Sequence, residues 1–174
     1  AAAQNPRVVA IGETGLDYYQ MDERKGGRSV ADMDWQRNRF RTHIRAAQQA
    51  GLPMVIHTRQ AADATLAIMR EEGEGPGQGA GGVFHCFTES LDVAKAALDL
   101  GYYISFSGII TFKNAAALRE VVSFVPLDRC LIETDAPYLA PAPHRGKENT
   151  PAYVPLVAKK VAECKGLSIE AVAE

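Results

Sequence analysis

Cysteine is sparse in this sequence of 174 residues: Cys86, Cys130 and Cys164 lie far apart, with no Cys-x-x-Cys pair. An odd count without a framework excludes a disulfide-stapled scaffold and points to a reducing compartment. Long apolar runs are missing too. No stretch reads as a membrane span, and the first residues lack the basic-then-apolar pattern of a signal peptide. The expectation is a cytoplasmic protein with no membrane partner; a protein partner is not indicated either way. Charge of one sign is also lacking: 19 Lys and Arg against 21 Asp and Glu leave a net charge of −2. No basic face is advertised, so a nucleic-acid contact must be local or assisted by metal. Histidine is limited to His43, His57, His85 and His144, and Trp35 is the single tryptophan. The remainder, 47% hydrophobic and 23% charged, is ordinary for a globular chain and sufficient for one core.

What the chain does have is a repeated construction. Short apolar runs lead to a chemically active side chain: Val8 to Ile11 before Glu13, Met54 to Ile56 before His57, Val83-Phe84 before His85, and Leu131-Ile132 before Asp135. Each run reads as a buried strand, the last one stopped by Pro137. Strands are expected over Arg7 to Ile11, Pro53 to His57, Val83 to Phe87, Tyr102 to Phe106 and around Leu131. Gly12 and Gly15 are expected to turn a tight loop around Glu13.

Helices are expected between the strands. One runs from Met33 to Ala50 with Phe40, Ile44 and Ala47 on one stripe, stopped by Gly51. Another spans Ala62 to Arg70. Ser90 and Asn114 are candidate caps for two more. Thr150 and Pro151 open a helix with a stripe of Val154, Val157, Ala158 and Val161, and a further helix begins after Ser168. The glycine-dominated stretch from Gly73 to Gly82 is expected to be a flexible surface loop. The order is β-α repeated five times, which fits parallel strands joined by crossover helices. Ligands at strand C-termini suit a (β/α)₈ barrel or an open doubly wound sheet, and periodicity leaves both open.

Two imidazoles and two carboxylates at successive strand ends suit a borderline divalent ion. A carboxylate can bridge two such ions, a common arrangement for phosphoester hydrolysis. Cys86, beside His85, is expected to face away because strand neighbours point to opposite faces. His43 reads as a half-buried helix residue, and Trp35 as a packing residue at a helix start.

The segments GETGLDYY (Gly12 to Tyr19), VIHTR (Val55 to Arg59), FHCFTES (Phe84 to Ser90), SFSGIITFKN (Ser105 to Asn114), LIETDAPYLAP (Leu131 to Pro141) and RGKENTPAYV (Arg145 to Val154) occur in this order. Together they resemble the TatD family of metal-dependent hydrolases, the TatD-type deoxyribonucleases. The resemblance implies an α/β fold of the TIM type: a partial (β/α)₈ barrel of about five β-α units, corresponding to strands four to eight. It also implies two divalent metal ions (Mg, Mn or Zn) and DNA as substrate. Residue by residue, it implies that Glu13 bridges the ions and that His57 and His85 bind one of them. Asp135 would bind the other and deprotonate the attacking water. Arg145 and Lys147, with Arg59, are candidates to hold substrate phosphate.

The family's first strand carries a His-x-His pair, which none of the four histidines here forms. The expectation is therefore a single domain over residues 1–174, the C-terminal part of a longer barrel. Two rival readings follow: an amidohydrolase-like enzyme acting on a small molecule, and an inactive half-barrel fragment.

Overall fold

The computed structural model describes residues 2–19 and 29–174. It divides into two compact units. The first holds the residues up to Phe84 together with Ala96–Tyr102; the second holds His85–Lys95 and Tyr103–Glu174.

In the first unit, β1 (Ile11–Asp17), β2 (Met54–Arg59) and β3 (Gly82–Phe84) pair in parallel. β1 is displaced from its expected place. The Val8 to Ala10 run forms no strand, and Val9 is 76% exposed. The strand is made instead by the glycine-containing segment expected to be a loop. The reason is steric: a Cβ on Gly15 would lie 1.8 Å from the His57 carbonyl oxygen, so only glycine lets the two backbones approach this closely. The register shifts between Ile11 and Thr14, and Glu13 falls in that irregularity. Such bulges re-aim a side chain beside functional sites.

Two helices cover this sheet. α1 (Asp34–Ala50) buries Phe40, Ile44 and Ala47, the stripe its 3.6-residue period announces, and Gly51 closes it in the left-handed conformation. α2 (Ala62–Glu71) buries Leu66, Ile68 and Met69. The connection from Gly73 to β3 is pinned rather than loose. The Glu74 carboxylate is 5% exposed and accepts hydrogen bonds from the Gln48 side chain, the Ala80 and Gly81 amides and the Tyr102 hydroxyl. A buried carboxylate without such donors would be expensive. Tyr102 in turn packs edge-on against Phe84, with ring centroids 5.6 Å apart.

In the second unit, β4 (Tyr103–Phe106) pairs in parallel with β5 (Cys130–Ile132). Leu131, expected to be buried, is 44% exposed, because burial in β5 falls unevenly on its residues. α3 (Leu91–Asp99) starts in this unit after Ser90, whose hydroxyl accepts from the Val93 amide, and its residues from Ala96 belong to the first unit. α4 (Ala116–Phe124) buries Leu118, Val121 and Val122; its cap is Ala115, not Asn114. Thr150 and Pro151 open a 3-10 turn that runs into α5 (Val154–Lys165). The α5 stripe keeps Val157, Ala158 and Val161 as expected, adds Ala162, and leaves Val154 half-buried. α6 (Ile169–Ala173) is capped by Ser168, which accepts from the Ala171 amide.

Candidate metal centre

In the first unit β1 and β2 bring Glu13 and His57 together. His57 Nδ1 lies 2.8 Å from Glu13 Oε1, and its Nε2 lies 3.6 Å from Asp17 Oδ2. Asp17 is held in turn. Its amide donates to Gln36 Oε1 of α1, and its carboxylate accepts from the Tyr19 amide. The buried Thr14 hydroxyl pairs with His43 Nδ1 at 2.8 Å. These residues line a cleft of about 300 Å³ whose other wall is α1, through Trp35, Gln36, Arg39, Phe40 and His43.

In the second unit the segment after β3 and the segment after β5 bring His85, Glu133 and Asp135 together. One ligand-capable atom from each lies within 4.8 Å of the others. His85 Nδ1 is 2.9 Å from Glu133 Oε1. Burial alone raises the Glu133 carboxyl, but hydrogen bonds from His85 and Ser105 outweigh it and hold the group below the ordinary carboxylate range. An ionised Glu133 accepting from Nδ1–H fixes the His85 tautomer, leaving the lone pair on Nε2, as in carboxylate–histidine pairs behind metal ions.

Cys86 contradicts the expectation that it faces away. Its φ is 43°, which breaks strand alternation, and its Sγ sits 3.2 Å from Ser107 Oγ and 3.8 Å from Asp135 Oδ2. Burial pushes the thiol up to about 12, aided by the Asp135 and Glu133 charges and opposed by Ser107. It is therefore protonated at neutral pH and is no nucleophile. Asp135 also has a left-handed φ, 57°. Non-glycine residues in that region cost about 1–3 kcal/mol and gather at functional sites.

The loop after Asp135 is tied down by Asn149, which is 4% exposed. Its Nδ2 donates to the carbonyls of Thr134 and Tyr138, and its amide donates to the Pro137 carbonyl. Gly108 lets the loop approach: a Cβ there would stand 2.1 Å from the Leu139 carbonyl oxygen.

Of the four residues singled out from the sequence, Glu13 and His57 meet within the first unit, and His85 and Asp135 meet within the second. Arg59 is exposed and stacks on the Tyr19 ring at 3.4 Å. Arg145 is exposed over Phe112 at 4.3 Å, and Lys147 is exposed nearby in sequence. His144 stacks on Tyr153 with centroids 4.2 Å apart.

Sequence reasoning missed Glu133, and it read His43 correctly as a half-buried helix residue without placing it on the cleft. Glu133 had a legible signal, since it stands two positions before Asp135 at the end of a strand. Trp35, expected to pack at a helix start, is 46% exposed and lines the cleft. The donor set of imidazole nitrogen and carboxylate oxygen in each unit fits Zn²⁺ or Mn²⁺, and the carboxylates also fit Mg²⁺.

A family model described as TatD related DNase matches residues 1–174. The uncharacterized metal-dependent hydrolase YcfH of Escherichia coli K12 is 52% identical over 167 residues, covering 96% of this chain and 59% of YcfH. The 3'-5' ssDNA/RNA exonuclease TatD of Klebsiella pneumoniae is 34% identical over 169 residues, covering 94% of this chain and 60% of that protein. The crystal structure of YjjV, a TatD homologue from E. coli K12, superposes with a TM-score of 0.83 at 28% identity, covering 99% of this chain and 62% of YjjV. The chain therefore spans about three fifths of the relatives it matches. Its fold is theirs: α/β, with the parallel strands and crossover helices of a partial TIM-type barrel.

Proposed function

The chain belongs to the TatD-related DNase family, and from that premise we propose that it serves a divalent-metal-dependent hydrolase of phosphodiester bonds, with DNA as the substrate class. The observation that carries this reading is the meeting of His85, Glu133 and Asp135, a mixed nitrogen and oxygen donor set on strained backbone. On this reading Glu13 and His57 in the first unit, and His85 and Asp135 in the second, would hold two divalent ions. When bound, such ions neutralise phosphate charge and activate water.

The protein's own groups do the rest. Asp135 orients the attacking water and accepts its proton. Glu133 holds the His85 ring in the tautomer that presents Nε2. Glu13 draws on His57 for its orientation at 2.8 Å. Arg145, Lys147 and Arg59 hold the phosphates flanking the cleaved bond, the two arginines already oriented by stacking on Phe112 and Tyr19.

The test is hydrolysis of a single-stranded oligodeoxynucleotide with Mg²⁺, Mn²⁺ or Zn²⁺, before and after chelation. The reading expects cleavage that chelation abolishes and roughly a hundred- to ten-thousandfold loss in Asp135→Asn. Cleavage indifferent to chelator, or untouched by Asp135→Asn, contradicts it.

A further inference from the structure

α1 carries an unexplained row of side chains. Trp35, Arg39 and His43 are spaced four residues apart, so they lie along one face at steps of about 6 Å. All three line the cleft that also holds Glu13, Asp17 and His57. The row is chemically graded. Trp35 is 46% exposed, although tryptophan is ordinarily well buried, and Arg39 is exposed beside it. The Arg39 guanidinium lies over the indole, 5.6 Å from the ring centroid. His43 is half-buried and anchored to Thr14, the neighbour of Glu13.

A half-exposed indole beside a guanidinium and an acidic, histidine-bearing cleft needs a reason. The hydrophobic effect disfavours leaving that ring in water. The Arg39 contact covers part of the ring at most. Packing accounts for the covered part of the ring and leaves the face on the cleft open. An aromatic face with an adjacent cation matches an unpaired nucleotide: the base stacks on the ring and the phosphate meets the guanidinium.

We propose that Trp35 and Arg39 form a nucleotide subsite, stacking one unpaired base and holding its phosphate so that the next phosphodiester lies toward Glu13 and His57. This deepens the proposed function and rests on it for the identity of the substrate. Specificity then favours single strands, because a paired base cannot offer its face to Trp35.

Trp35 is the single tryptophan in the sequence, so its fluorescence reports on this subsite alone. The experiment titrates an oligothymidylate, and an abasic strand of equal length, into the protein with EDTA present. Quenching by the thymidylate but not by the abasic strand is expected, with no comparable signal in Trp35→Phe. Equal quenching by both strands, or none, overturns the subsite. In parallel, Trp35→Ala should raise KM for the thymidylate roughly five- to hundredfold, with Trp35→Phe much closer to wild type. The gap between wild type and Trp35→Ala should shrink on the abasic strand. An unchanged KM in Trp35→Ala contradicts the proposal. If the wild type cleaves neither strand with any divalent ion, the proposed function fails, and the fluorescence arm still decides the stacking.

Discussion

Glu133 shows what one side chain contributes to this centre. Its 2.9 Å contact with His85 Nδ1 aims the ring, and its depressed pKa keeps it ionised at neutral pH. Glu133→Gln keeps the shape but can no longer present a carboxylate to the imidazole. Metal affinity should fall about 10- to 100-fold, as for other partners of ligating histidines. Calorimetric titration of Zn²⁺ into wild type and variant measures it, and equal affinities would reduce Glu133 to a bystander. Gly15 makes a different point at the same scale. Any Cβ there collides with the His57 carbonyl oxygen, and φ is 143°. Gly15→Ala should cost on the order of 3 kcal/mol or more, read as a drop in the urea midpoint, and should disturb the Glu13–His57 pair.

Elements set the site through a few polar ties. Asn149 joins the start of the 3-10 turn that leads into α5 to the loop around Asp135. Asn149→Ala leaves the Thr134 and Tyr138 carbonyls without their donor and should cost about 2–4 kcal/mol. It should also depress activity more than a surface change of equal stability cost, measured by comparing kcat in variants matched for melting temperature. α1 and α2 are tied by Glu72, which pairs with Arg45 at 2.6 Å and Arg41 at 3.4 Å. The Arg45 hydrogen bonds hold the Glu72 carboxyl below its ordinary value, against the opposing effect of burial. Because the folded pKa is depressed, this tie stabilises the protein above the unfolded pKa of about 4.3 and is lost as pH falls through the folded value. The melting temperatures of wild type and Glu72→Gln should differ at pH 7, with the gap narrowing as pH falls toward 3. Arg45 is 62% exposed, so salt should narrow the difference. A gap undiminished at pH 3 would assign the effect to packing.

These elements also show what could be read in advance. The α1 stripe was legible because helical periodicity and a left-handed Gly51 are local properties. β1 was misplaced because Val8 and Val9 have the higher strand propensity. Close backbone approach at Gly15, a tertiary fact, decided the matter instead. The Gly73 to Gly82 stretch looked loose in composition, yet a buried Glu74 collects its amides. The pairing of His85 with Asp135 could be anticipated from strand ends. The turn of Cys86 toward Asp135 could not, since it depends on a positive φ that no local pattern required.

For the whole molecule, composition constrains how a nucleic acid can bind. A net charge of −2 supplies no general attraction to phosphate, so affinity must come from the few cations near the site and from metal. Among the described residues no helix is long and apolar enough to cross a membrane. Binding to a single strand should weaken with salt at a shallow slope, roughly −0.7 for each of the few phosphates neutralised. Fluorescence anisotropy across salt concentrations gives that slope; a steep one would require a basic surface that a net charge of −2 does not announce. The most direct measurement of the central claim is Mn²⁺ binding followed by electron paramagnetic resonance in wild type, Glu13→Gln and Asp135→Asn. The account predicts stoichiometric Mn²⁺ on the wild type and weakened or lost binding in each variant. Wild-type occupancy in both variants would contradict it.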